Sequence, residues 1–258
     1  MLLAVSAGLI FAGCANAMAK ASDSAPPFVQ YRQTIHETAK VLRVDKTFSY
    51  QMLRRTADGH ARWTLDSGAT GVFTQSKLVP PTFDALSDFA IHGQAYSNGS
   101  FDMWTADVHP LTYTTTRKDV DVVTIAVKHY VTELAPDSTE EVAHIHMSPV
   151  GDDTPILPRL FFKDVWCDRT TNLLRRAEFV GPEERVFTID YGIEQGRLVV
   201  THLLFAQTYS RAAGIVRARL TMEAEYDRFA FPETVPASTF ERAPGPAESP
   251  VAAIRRLR

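Results

Sequence analysis

The chain has 258 residues, of which 45% are hydrophobic and 22% are charged, and its formal net charge at pH 7 is -3. These values are ordinary for a globular protein with a sizeable core, so the composition excludes disorder for most of the chain. The charges are spread along the sequence without blocks of one sign, whereas phosphate binding requires a concentrated basic face. The charge pattern therefore argues against a nucleic-acid partner.

The first nineteen residues carry no charged side chain and contain an apolar run over residues 2–12. This run is shorter than the roughly 20 apolar residues of a membrane-spanning helix. The small residues that follow, Ala15-Asn16-Ala17, suit a signal-peptidase cut before Met18, so residues 1–17 are predicted to be a signal peptide. A second interpretation stays open, because residues 11–14 resemble a bacterial lipobox in which Cys14 receives lipid and begins the mature chain. In that case the lipid on Cys14 is the protein's contact with the membrane.

Two helices are predicted next along the chain. After Pro26 and Pro27, apolar residues recur at spacings of three and four, which predicts an amphipathic helix over residues 28–42 from Phe28, Tyr31, Ile35, Ala39 and Leu42. A short helix is predicted over residues 82–89, where Thr82 caps the start and Phe83, Leu86 and Phe89 share one side.

Strands and turns are predicted for the rest. Residues 48–53 and 61–65 alternate in polarity around an Asp58-Gly59 turn, which is typical of a hairpin. A second hairpin is predicted at residues 166–174, with Asp168 bonding backbone N–H groups ahead of it and Asn172 in a left-handed conformation. A third is predicted between residues 185–191 and 197–209 around Gly196.

The clearest strand is the last, over residues 216–227. Leu220, Met222 and Tyr226 fall on one wholly apolar face, while Arg219 and its alternate neighbours form a solvated face. Together these elements predict a mainly β (α+β) fold: a curved antiparallel half-barrel sheet of about ten strands, with an N-terminal amphipathic helix and a short lid helix. The domain is expected over residues 26–241, followed by a disordered tail over residues 242–258 that contains Pro and Arg.

The segment Val-Trp-Cys-Asp-Arg-Thr-Thr-Asn-Leu-Leu-Arg at residues 165–175, together with the leader, the helix and the hairpins, resembles the LolA/LolB-like lipoprotein-carrier superfamily. The resemblance implies an exported, non-enzymatic envelope protein of the periplasm or outer membrane, with a cavity between sheet and helices that shields an apolar or lipid ligand. On this interpretation the cavity is lined by Leu220, Met222, Tyr226, Phe83, Leu86 and Phe89. The alternative is an envelope interaction module in which the same face is a filled core.

A metal site is the remaining alternative. His144 and His146 lie two apart, and a strand over residues 120–133 would place His129 opposite His146, giving three imidazoles suited to zinc. The favoured interpretation includes no metal and no cofactor. Asp164 and Asp168 lie close to a predicted turn, where aspartate is common, so they are not interpreted as a catalytic acid–base pair. Once Cys14 is removed or lipidated, Cys167 has no cysteine partner.

Overall fold

The computed structural model describes residues 7–14, 17, 26–39, 44–55, 57, 60–65, 70–74, 99–100, 112–115, 119–121, 130–151, 161–181, 184–211 and 216–241. Residues 7–14 are helical, and a short 3-10 helix covers Ala237–Phe240. The described strands are β1 (Phe28–Ala39), β2 (Val44–Arg55), β3 (His60–Leu65), β4 (Thr70–Thr74), β5 (Gly99–Ser100), β6 (Thr112–Thr115), β7 (Asp119–Asp121), β8 (Tyr130–Leu134), β9 (Val142–Pro149), β10 (Phe161–Asp168), β11 (Leu174–Gly181), β12 (Arg185–Glu194), β13 (Arg197–Arg211) and β14 (Val216–Ala230).

Eleven of these strands form one open, curved sheet in the order β4-β3-β2-β1-β14-β13-β12-β11-β10-β9-β8, and every pairing in it is antiparallel. Strands β5, β6 and β7 form a second, three-stranded sheet. The prediction of a mainly β half-barrel is confirmed. Within the described residues, the structure contains no helix long and apolar enough to cross a membrane.

The predicted helix over residues 28–42 is wrong, because residues 28–39 form β1 in the middle of the large sheet. Tyr31, Ile35 and Ala39 are spaced by four, which is an even number and therefore also places all three on one face of a strand. Gln33 lies between them on that same buried face and is 0% exposed. This buried polar residue conceals the alternation of a strand. The helix near the N-terminus lies at residues 7–14 instead.

The predicted hairpins are confirmed. Strands β2 and β3 pair with Arg54 opposite Ala61. In the β10–β11 turn, the Asp168 Oδ1 atom accepts hydrogen bonds from the backbone N–H groups of Thr170 and Thr171, at 2.9 Å each, and Asn172 has a φ of 55°. The β12–β13 turn has positive φ at Gln195 and Gly196, as a two-residue hairpin requires.

The large sheet has one apolar and one polar face. A β-bulge at Lys163 breaks the alternation of β10, since Phe162 pairs with Phe179 whereas Asp164 pairs with Glu178. Phe162 and Val165 consequently share the apolar face, and Asp164 lies on the polar face. Bulges re-aim side chains in this way.

Candidate functional site

The centre of the apolar face is a row of large side chains, one from each of five neighbouring strands. The strand registers align Phe162, Phe179, Phe187, Phe205 and Met222, each at most 1% exposed. The ring centroids of Phe162 and Phe179 are 4.5 Å apart, and those of Phe179 and Phe187 are 5.9 Å apart. Since neighbouring strands lie about 4.8 Å apart, the row extends for roughly 19 Å across the sheet.

The sequence-predicted cavity residues on the last strand all lie on this face. Leu220, Met222 and Tyr226 are 1%, 0% and 4% exposed. The three predicted lid residues, Phe83, Leu86 and Phe89, lie outside the described residues, so the lid remains a prediction.

A polar cluster within the apolar face was missed by sequence reasoning. The Tyr50 hydroxyl donates to Gln33 Oε1 at 2.6 Å, and Gln33 Nε2 donates to the Tyr226 hydroxyl at 3.1 Å. Burial, followed by the proximity of Tyr31, raises the pKa of Tyr50 well above 10, which keeps its hydroxyl protonated. Gln33 is therefore satisfied by two tyrosines on the strands that flank β1.

The helix of residues 7–14 packs on the apolar face at the β8–β10 end. Its buried residues Ala7, Phe11 and Cys14 are spaced by four and three, which forms one stripe on a helix. The Phe11 ring meets the Phe162 ring edge to face, with centroids 6.1 Å apart. The predicted leader thus provides an apolar helix that covers part of the face.

Cys14 and Cys167 contact each other on this face. Both are buried free thiols, and the hydrogen bond between them, followed by burial, raises the pKa of Cys167. In the full chain Cys167 therefore has a cysteine neighbour. The expectation that Cys167 lacks a cysteine partner concerned the chain after Cys14 is removed or lipidated.

A buried arginine lies at one end of the apolar face. Arg185 is 6% exposed and alternates with Phe187 and Ile189, so the three share a face. Its Nε atom donates to Gln207 Oε1 at 3.1 Å, and its buried Nη1 atom has no hydrogen-bond partner among the residues that the structure describes. An unsatisfied buried donor costs about 1–3 kcal/mol, and more when it is charged. This end of the face is suited to an anionic group.

Two histidines and an aspartate converge on the polar face. His144 Nε2 lies 3.1 Å from Asp164 Oδ1, and His146 Nδ1 contacts the same oxygen. His144 Nδ1 lies 2.6 Å from Asp137 Oδ1. Burial alone would raise the pKa of Asp164, but the hydrogen bonds from His146 and His144 outweigh it, and the net shift is downward.

The predicted set of three histidines is wrong in its register. Glu133 pairs with His146, and Tyr130 pairs with Pro149, so the strand places a glutamate opposite His146. His129 lies outside the described residues. The third group beside His144 and His146 is Asp164 of β10, which sequence spacing did not reveal because residues 152–160 separate the two strands and the bulge at Lys163 shifts the alternation.

A second polar cluster lies further along the same face. His202 Nδ1 lies 2.9 Å from Asp190 Oδ2, and His202 Nε2 lies 2.8 Å from Glu223 Oε1. Arg176 also donates to Asp190. Hydrogen bonding to Asp190 raises the pKa of His202, partly opposed by burial and supported by Glu223. Polar residues alternate with apolar ones along β11, β12, β13 and β14, and this pattern indicates a polar face. The strand registers then place the polar residues of this cluster opposite one another.

No protein-family model matches the chain, and no curated protein matches it. Solved structures similar to it include a DUF1329 family protein from Desulfovibrio piger, with 11% identity, a TM-score of 0.42 and coverage of 89% of this chain and 96% of that one. Another is a putative outer membrane lipoprotein-sorting protein domain from Vibrio parahaemolyticus, with 8% identity, a TM-score of 0.40 and coverage of 92% and 97%. Pseudomonas aeruginosa MucB, solved with MucA, is 9% identical at a TM-score of 0.27, with coverage of 86% and 94%.

Proposed function

We propose that this protein is an exported envelope protein that binds or carries a lipid or another apolar ligand on the apolar face of its sheet, without a catalytic step. The observation that carries the proposal is the helix of residues 7–14, an apolar segment that lies on this face with Phe11 against Phe162. If the leader is removed on export, apolar surface around Phe162 and Cys167 loses its cover. A lipid chain is then a chemically equivalent occupant.

Burial of an acyl chain provides enough free energy for such binding. Each buried CH₂ contributes about 0.8 kcal/mol, so a chain of roughly 16 carbons contributes on the order of 12 kcal/mol before ordering costs. Methionine adapts its shape to irregular apolar surfaces, and Met222 lies in the aromatic row. The row therefore supports binding of chains that differ in length or branching.

The buried Arg185 specifies the ligand further as an amphiphile with an anionic head. Its Nη1 atom lies at the end of the apolar face, two residues along β12 from Phe187. A carboxylate or phosphate placed there would accept the hydrogen bond that the described residues leave unmade. The head would be held at Arg185 while the chain follows the aromatic row.

A filled core is the competing proposal, and the very low exposure of Leu220 and Met222 favours it. In that case the protein is an envelope interaction module, and the apolar face serves only stability. The predicted lid over residues 82–89 separates the two proposals, since a carrier requires a segment that opens at low free energy.

A binding titration distinguishes these proposals. Protein exported and processed in a bacterial host is titrated with a fluorescent fatty acid and with the alcohol of the same chain length. We expect saturable binding of both. Arg185→Gln should weaken binding of the acid about tenfold or more, because hydrogen bonds to charged groups contribute about 1.5–3 kcal/mol, and should leave binding of the alcohol unchanged.

Arg217→Gln is the matched control. Arg217 is an exposed arginine on the solvated face of β14, and it pairs with Glu184. This variant should bind the acid as the unchanged protein does. If the unchanged protein binds neither probe, the carrier proposal is wrong and the filled core is favoured. Equal weakening of acid and alcohol by Arg185→Gln would mean that Arg185 supports the fold and not the head group.

A further inference from the structure

On the polar face, opposite the proposed lipid site, we propose that His144, His146 and Asp164 bind a divalent transition-metal ion of the zinc type. The donor atoms are one ring nitrogen from each histidine and one carboxylate oxygen, and all three lie within 4.8 Å of one another. Two histidines and one carboxylate are a known ligand set of zinc sites that keep an open position. The antiparallel pairing of β9 with β10 brings the three groups together, with His146 opposite Asp164 and Trp166 opposite His144.

Neighbouring side chains fix the orientation of His144. Its Nδ1 atom lies 2.6 Å from Asp137 Oδ1, so an Nδ1–H that donates to Asp137 leaves Nε2 available to bind an ion, which would replace the contact of Nε2 with Asp164. The Trp166 ring stacks on the imidazole, with centroids 4.3 Å apart and an angle of 17° between the planes. Histidine ligands of metals are oriented by outer carboxylates in the same way. Asp137 is therefore a positioning residue for the site.

The surroundings of Asp164 suit a site that opens to solvent on one side. The Asp164 side chain is 6% exposed and the His146 side chain is 50% exposed, so an ion and a water molecule can reach the donor atoms past His146. Lys163 Nζ lies 3.4 Å from Asp164 Oδ2, the oxygen that the histidines do not use, and 2.6 Å from Glu178 Oε1. Glu178 offsets much of the lysine charge that would oppose a bound cation.

The cluster around His202 provides a contrast on the same face. It contains one histidine between Asp190 and Glu223, and Arg176 also pairs with Asp190. The Arg176 guanidinium already pairs with Asp190, and among the residues that the structure describes no second imidazole is recorded in contact with His202. His202 therefore belongs to an ion-pair network, and its loss should not change metal binding.

Calorimetric titration of the untagged full chain with Zn²⁺, after treatment with a chelator and its removal, tests the proposal. We expect one Zn²⁺ bound per chain. His146→Ala should weaken the affinity by more than about 100-fold, and Asp137→Ala by about 10- to 100-fold as for other outer carboxylates, with partial recovery in Asp137→Glu. His202→Ala should bind Zn²⁺ as the unchanged protein does.

His146 is half exposed, so its replacement leaves the fold intact, and circular dichroism of each variant verifies this. Substitution of Co²⁺ for Zn²⁺ adds a direct readout, because the visible absorption of bound Co²⁺ reports nitrogen and oxygen ligation. Binding of less than one equivalent of Zn²⁺ by the unchanged protein would overturn the proposal. Unaltered affinity in His146→Ala would overturn it as well.

Discussion

His202 lies between two carboxylates on the polar face, with Asp190 of β12 on one side and Glu223 of β14 on the other. Only the imidazolium form donates from both ring nitrogens at once, so this setting favours the charged ring. Other titratable or charged groups that face the cluster are Glu225, the register partner of His202, His36, the register partner of Glu223, and Arg176, which pairs with Asp190. The folded state thus binds the His202 proton more tightly than the unfolded state does.

The pKa of His202 lies above its ordinary 6.5, and this sets the sign of a pH dependence. The stabilisation is complete below about pH 6.5 and is lost as the pH rises through the raised pKa. His202→Gln should therefore lower the free energy of unfolding by about 1 kcal/mol or less at pH 5.5, typical of partly exposed pairs, and by less at pH 9. Urea unfolding at the two pH values measures the difference, and a larger loss at pH 9 would contradict the account.

The site on the polar face shows where sequence reasoning reaches its limit at the scale of residues. The spacing of His144 and His146 correctly places both on one face of β9, and the sequence predicts that strand. The pairing of β9 with β10 depends on contacts between segments far apart in sequence, and the bulge at Lys163 changes which residues of β10 face each side. Asp164 therefore joins the histidines through register, which a single sequence does not encode locally.

At the scale of elements, strict alternation is the most reliable signal and mixed spacing is the least. Strand β14 alternates from Arg217 to Asp227, and the predicted apolar residues from Ala218 to Tyr226 are buried. The alternation breaks at Arg228, where φ is 55° and the pairing with β1 shifts register. Strand β1 contains Gln33, whose amide is satisfied by Tyr50 and Tyr226 from the strands on either side. Because those tyrosines are distant in sequence, local pattern favours a helix there while tertiary hydrogen bonding stabilises a strand.

The two faces of β14 respond differently to charge. Leu220→Asp or Met222→Asp places an unpaired carboxylate in the apolar face and should lower the free energy of unfolding by several kcal/mol. Arg219→Ala on the opposite, exposed face is the control and should change it by about 0.5 kcal/mol or less. Thermal unfolding monitored by circular dichroism compares the variants. Similar melting temperatures for both kinds of substitution would show that the faces are misassigned.

At the scale of the whole molecule, the large sheet is open, with β4 and β8 at its two ends. The helix of residues 7–14 lies near the β8 end, where it brings Phe11 to Phe162 and Cys14 to Cys167. The proposed export and the proposed ligand site are thereby linked, since processing would remove one cover of the apolar face and leave room for another.

Processing itself is testable by intact mass. Produced with its own leader in a bacterial host, the protein should mature either before Met18 or at a lipidated Cys14, which differ in mass by the leader remnant and the lipid. Protein cut before Met18 should also expose the Cys167 thiol to a maleimide more than the full chain does, because Cys14 is then removed. Recovery of full-length protein from the cytosol alone would contradict the prediction of export.

Native mass spectrometry of the processed protein, purified from the bacterial envelope without detergent exchange, tests whether the protein carries a lipid. We expect a population whose mass exceeds that of the processed chain by the mass of a lipid with an anionic head, and gentle collisional activation should release this lipid as a free species. A covalently attached lipid on Cys14 would remain through the same activation, so the two are distinguishable. A single ligand-free mass under conditions that preserve lipid complexes of a control carrier would contradict the proposal and favour a filled core.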